Sequence, residues 1–178
     1  FLAFNQSIIW ATFAPIYKST EIYYNISEST IDLFLAWGPI CFIPSLPLTY
    51  VLINKTNGLR YCVILLSIME LLSTIVRVIP SIIISLSSNV NIHSISLPFI
   101  HIGQILNAIC GPLAMVPVSQ LSCLWFNTNE RTRATTIGIM AYNLGSTLSF
   151  PLGPSIVSSP EDIPHFLYIH LGFSVIGF

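Results

Sequence analysis

Histidine, glutamine and asparagine recur at helical spacing within one apolar stretch of this 178-residue chain: His101, Gln104 and Asn107, followed by Gly111. Steps of three or four residues set them on one face of a helix. Among apolar neighbours each such group needs a partner or water. The stripe therefore either lines a cavity that binds a polar solute or hydrogen-bonds one helix to the next. An imidazole such as His101 is also a proton carrier in the physiological range. Near the start of the chain, Asn5, Gln6, Trp10 and Thr12 form a second polar and aromatic surface. Gln6 and Trp10 stand one turn apart, an amide beside an aromatic wall. Tyr142 and Asn143 add a third pair. Gln6, Trp10, His101, Gln104, Asn107, Tyr142 and Asn143 are thus the candidate solute-binding residues, each with a plain packing role as its alternative.

Glu70 is the costliest residue of all. It follows Arg60 by about 15 Å of helix, which brings it close to a bilayer midplane. Arg77 lies two turns further on and near the far interface, out of reach of a direct one-turn ion pair. Glu70 is either protonated or paired across to another helix, so Glu70 and His101 are the two proton-coupling candidates. Enzyme chemistry finds no support. The aspartates Asp32 and Asp162 fall at helix ends or connectors, and neither an H-E-x-x-H nor a G-x-S-x-G pattern occurs. Cys41, Cys62, Cys110 and Cys123 sit in apolar runs without C-x-x-C spacing and read as packing residues. No metal or cofactor is expected.

The elements that must carry these groups follow from composition. Apolar residues make up 53% of the chain and charged residues 7%, with a mean hydropathy of +0.79. A water-soluble surface needs about a quarter charged residues, so the solvent here is lipid. The net charge of -1 says nothing about nucleic acid, but no basic run exists to bind phosphates, so no nucleic-acid partner is expected. Six apolar stretches emerge, at about 1–17, 31–53, 59–86, 97–125, 132–157 and 164–178. Each approaches the roughly 20 residues that span a bilayer. The expected fold is an all-α polytopic membrane protein, a single transmembrane bundle over 1–178. Both termini fall inside apolar sequence, so the chain is expected to be part of a longer protein, and nothing resembles a signal peptide.

Loop charge orients the bundle. Lys55 and Arg60 occupy the connector between the second and third stretches, and Arg131 and Arg133 the one between the fourth and fifth. Positive-inside bias puts these connectors and the N-terminus in the cytosol. The sequon Asn25-Ile26-Ser27, in the polar connector Lys18–Thr30, then faces outside or the lumen and is a glycosylation candidate, whereas Asn54-Lys55-Thr56 stays unmodified. Asn127 and Glu130 have capping-box spacing before the fifth stretch, with Arg131 and Arg133 placed to snorkel. The Ile/Ser-rich patch Ile79–Ser96 is expected to turn near Asn89–Asn91. Prolines and glycines inside the second, fourth and fifth stretches predict kinks, from packing or from bending around a cavity. Gly138, Ala141, Gly145, Ser149 and Gly153 form a small-residue stripe for close helix contact.

Several ordered motifs carry a family resemblance. Trp37-Gly38-Pro39-Ile40, Pro44 and Gly58-Leu59-Arg60 resemble the major facilitator pattern around its second-to-third connector. Trp10–Ile16, Ile100–Asn107, Gly111-Pro112, Trp125-Phe126, Glu130-Arg131, Ala134-Thr135 and Gly153-Pro154 together resemble solute carrier family 49. The likeness implies the six-helix N-terminal repeat of a twelve-helix major facilitator fold, whose C-terminal six-helix half lies outside this chain. It implies a secondary active transporter working by alternating access about a midplane site, with the first and fourth helices lining the cavity. A proton-coupled carrier of a pyridoxine-like vitamin at the lysosomal membrane is the leading expectation. A choline or haem-type carrier, the plasma membrane, or a non-transporting membrane scaffold or receptor are the alternatives. The small solute and the lipid bilayer are the implied partners. Lys55, Gly58, Arg60, Glu130 and Arg131 match the cytosolic loop motif. The loop departs from the family pattern in one respect: no acidic residue precedes Gly58-Leu59-Arg60.

Overall fold

The structure, a computed structural model, describes residues 1–86 and 92–178. The turn expected near Asn89–Asn91 lies outside the described residues. Among them are the helices α1 (Leu2–Trp10), α2 (Tyr17–Tyr24), α3 (Glu28–Ile53), α4 (Gly58–Leu86), α5 (Ile92–Trp125), α6 (Arg131–Ile156) and α7 (Ile163–Gly177), with a 3-10 turn at Pro160–Asp162. Three of them, α3, α4 and the 95–125 part of α5, are long and apolar enough to cross a membrane.

The first apolar stretch is not one helix, which corrects the expectation of a continuous span over 1–17. Pro15 is the cause. It has no N–H to give to the Ala11 carbonyl, and its ring crowds that carbonyl. The helix stops at Trp10, and the chain turns through residues 11–16 before α2 begins. Ala11 O is satisfied instead by Ser149 Oγ from α6 at 3.2 Å and by the Ala14 N–H at 3.3 Å. The expected connector Lys18–Thr30 is therefore mostly helical. It reduces to residues 25–27, where Asn25 adopts a left-handed φ of 51°. At the other end of α3, Asn57 (φ 64°) makes the turn into α4. A Cβ on Gly58 would run into the Ile53 and Leu52 carbonyls.

The capping box expected at Asn127–Glu130 does not form. Glu130 itself is the N-cap of α6 and makes no side-chain cap bond, while the Asn127 carbonyl accepts the Glu130 and Arg131 N–H groups. Arg131 Nε donates back to Phe126 O at 3.2 Å, closing the end of α5. A capping box does form between Ser159 and Asp162, ahead of α7.

Packing follows side-chain size. α4 lies along α5, which also supports α3, while α1 lies against α6 and α7 against α4. The α1–α6 approach uses the small-residue stripe: Cβ atoms on Gly145 and Gly153 would collide with the Phe4 carbonyl and with Pro15 and Ile16. Two apolar clusters close the ends of the bundle. One gathers Phe13, Phe34, Val78, Ile100 and Phe166, the other Ile53, Cys62, Leu66, Cys110 and Leu113. Between them lies a buried polar layer. Outside, α3 and α6 turn Leu48, Val51, Ile137 and Met140 outward. An apolar exterior around a polar middle inverts the water-soluble pattern and fits a lipid surround.

Candidate solute-binding site

Gln6 and Trp10, from the last two turns of α1, border a cleft of about 260 Å³. Gly38, Pro39, Phe42 and Ile43 of α3, Ala108 and Gly111 of α5, and Tyr142 of α6 complete its walls. These positions fall at mid-length of α3, α5 and α6. Glycine makes the space. A Cβ on Gly38 would strike the Trp10 indole, and one on Gly111 would press on the Phe42 ring at 3.0 Å. Trp10 Nε1 donates to Leu35 O at 3.3 Å, which fixes the indole against α3. The lining contains an amide, an indole and a phenol but no ionisable carboxyl or basic side chain. Such a wall suits a small neutral or cationic ring through aromatic contact and a few hydrogen bonds.

The remaining candidates lie elsewhere. Gln6 and Asn107 form a reciprocal pair: Gln6 Nε2 donates to Asn107 O at 3.1 Å, and Asn107 Nδ2 donates to Gln6 O at 3.3 Å. Gln104 Oε1 accepts from Arg77 Nη2. Both Gln104 and Asn107 are buried and join helices. His101 is half-buried, with Trp37 Nε1 donating to its Nδ1 at 3.0 Å and the Phe34 ring edge-on at 4.8 Å. That bond keeps Nδ1 as the acceptor and assigns the proton to Nε2. Asn143 is exposed, and its carbonyl accepts the Ser146 and Thr147 hydroxyls. Lys55, Arg60 and Glu130 are exposed at one end of the bundle, where Gly58 and Arg131 complete the two loops.

Glu70 is 1% exposed and finds its partner on another helix: Asn5 Nδ2 donates to Oε2 at 2.7 Å. The same Asn5 nitrogen reaches Ser174 Oγ of α7 at 3.3 Å. Glu70 Oε1 has no hydrogen-bond partner among the described residues. Arg77, expected near an interface, is instead 1% exposed in the middle of the bundle. It donates to Ile9 O at 2.9 Å and to Thr12 Oγ1 at 3.4 Å. His170 has no signal in the spacing, yet its Nδ1 meets Thr12 Oγ1 at 3.0 Å across 158 residues. A lone histidine in an apolar stretch has no spacing partner to mark it.

A polar layer buried inside an apolar-skinned helical bundle, with a cleft at half-height, is the layout of a carrier. The family profile described as Major Facilitator Superfamily matches residues 1–178. The chain belongs to the major facilitator superfamily. It is similar to the solute carrier family 49 member 4 homologs of Xenopus tropicalis and Xenopus laevis, 35% identical to each over 160 residues. Those matches cover 90% of this chain and 33% of each relative. Solute carrier family 49 member A3 of Xenopus tropicalis is 25% identical over 173 residues, 95% of this chain and 34% of that protein. The chain spans about a third of the length of these curated relatives. As a major facilitator chain it is multi-pass in the membrane and makes half of a major facilitator fold.

Proposed function

We propose that this chain is the N-terminal half of a secondary active carrier that moves a small organic solute by alternating access. The observation that supports this reading is the cleft beside Gln6, Trp10 and Tyr142, set at mid-length of α3, α5 and α6 and free of ionisable carboxyl or basic groups. A midplane site on the first repeat is where a two-repeat carrier closes on its solute with the second. The cleft's size and aromatic walls favour a ring of vitamin size such as pyridoxine, which offers hydroxyl donors and a π-face. Choline and haem-type solutes are the competing cargoes. One layer behind, Asn107 acts by bonding Gln6 and Gln104 by accepting from Arg77. Glu70 is the proposed proton-coupling group, because a lone buried carboxyl with one free oxygen can take up and release a proton as its surroundings open and close. The resemblance to solute carrier family 49 supports a lysosomal membrane.

The test is flux through vesicles that carry the full-length protein. Saturable uptake of one solute among pyridoxine, choline and haem-type compounds, stimulated by a proton gradient, supports the proposal. Absence of flux with every solute in the set rejects it.

A further inference from the structure

The break after Trp10 leaves the Ile9 carbonyl at a helix end, inside the bundle, where water does not reach it. Two groups take it over: Thr12 Oγ1 at 2.6 Å and Arg77 Nη1 at 2.9 Å. The negative end of a helix dipole attracts a cation there, and a buried charge needs such partners. Among the described residues no carboxylate pairs with Arg77, and the nearby acid on the same helix, Glu70, is held by Asn5. The guanidinium also faces the Phe13 ring at 6.0 Å, within the turn itself. Space for the arginine stem is built in: a Cβ on Gly103 would collide with Arg77 Cγ.

These bonds close a circuit. Arg77 holds Ile9 and Gln104. One turn along α1 from Ile9 is Gln6, and one turn along α5 from Gln104 is Asn107. Gln6 and Asn107 bond each other twice. The circuit thus runs through α4, α1 and α5, and two members of its α1 side, Gln6 and the adjoining Trp10, border the cleft. We propose that Arg77 is a positioning residue for solute binding, one that clamps the broken end of α1 and thereby sets how Gln6 and Trp10 meet the solute. The fork is essential, because one lysine ammonium cannot hold Ile9 O and Gln104 Oε1 in the same geometry. The binding part of this inference rests on the transport reading; the clamping part does not.

The experiment uses the full-length protein with Arg77→Lys, read in two ways. Hydrogen exchange without solute is expected to show amides at 10–16 opening at least about tenfold faster, with α5 amides unchanged. In vesicles, KM for the transported solute is expected to rise roughly tenfold while maximal flux per molecule stays within about twofold. Unchanged protection at 10–16, or an unchanged KM beside faster exchange throughout α4 and α5, overturns the proposal. The second pattern is what a merely structural arginine gives. If Arg77→Lys does not accumulate, Gly103→Ala crowds the arginine stem while keeping its charge, and the same two shifts are expected. Their absence is equally decisive. Wild-type protein without flux rejects the transport reading alone, and the exchange measurement still decides the clamp.

Discussion

Asn5 Nδ2 stands 2.7 Å from Glu70 Oε2, so this acidic side chain, buried between α1 and α4, is held by an amide and, among the described residues, pairs with no cation. An amide donor orients a carboxylate without fixing its charge. Glu70→Gln preserves the bond, since the new Oε1 accepts from Asn5 as before. We expect the variant to reach the membrane at wild-type abundance and to exchange solute at equilibrium. Stimulation of flux by a proton gradient is expected to vanish. Gradient-driven uptake equal to wild type would remove Glu70 from the coupling step. Glu70→Leu leaves the Asn5 amide with Ser174 Oγ as its one remaining acceptor and should cost about 1–3 kcal/mol in thermal unfolding.

Gln104 and Asn107 give a different signature. Each joins helices, so Gln104→Leu and Asn107→Leu are expected to lower stability in detergent by about 1–3 kcal/mol, read by thermal unfolding of the full-length protein. Asn107→Leu strips the Nδ2 donor from the Gln6 carbonyl, while Gln6 Nε2 keeps the Asn107 carbonyl; the looser α1 is expected to raise KM as well. A wild-type melting profile for both variants would contradict the interhelical role.

Much of this layer was legible from spacing alone. The His101–Gln104–Asn107 stripe and the Gln6–Trp10 pair are periodic, and period reports which face of a helix a residue shares. Period does not report which helix that face meets. Gln104 therefore reads as a cavity wall first and as a tie second, and the Arg77 guanidinium beside it makes it the tie. The break in α1 had a local signal in Pro15, four residues beyond the carbonyl it deprives. The pairing of Thr12 with His170 had none, because 158 residues separate them and only packing brings them together. The capping box at Asn127 failed for a local reason: the Asn127 carbonyl, rather than its side chain, takes the first N–H groups of α6.

Topology has its own check. Asn25 and Asn54 flank opposite ends of α3, both exposed, about 40 Å apart along a helix of this length. With the full-length protein expressed in cells, a glycosidase-sensitive mass shift is expected to disappear in Asn25→Gln and persist in Asn54→Gln. The reverse pattern would invert the orientation.

Asp162 offers a pH readout outside the membrane. The Ser159 N–H and hydroxyl, 2.8 and 3.0 Å from Oδ2, hold its carboxyl below the usual carboxylate range. A depressed folded pKa means that the cap's contribution is complete above the unfolded value and is lost as pH falls through the folded one. The difference in melting temperature between wild type and Asp162→Asn is therefore expected to persist in mild acid and to close only below the ordinary carboxylate range. A difference that closes at the ordinary value would show that the cap does not bind the charge.

The cleft itself is tested most directly by Gln6→Leu and Trp10→Ala in vesicles with the full-length protein, comparing KM and maximal flux for the solute that wild type carries. Removing the amide or the indole from a desolvated site is expected to raise KM roughly 10- to 100-fold, with abundance at the membrane near wild type. Unchanged KM in both variants would place solute binding away from this cleft and contradict the account.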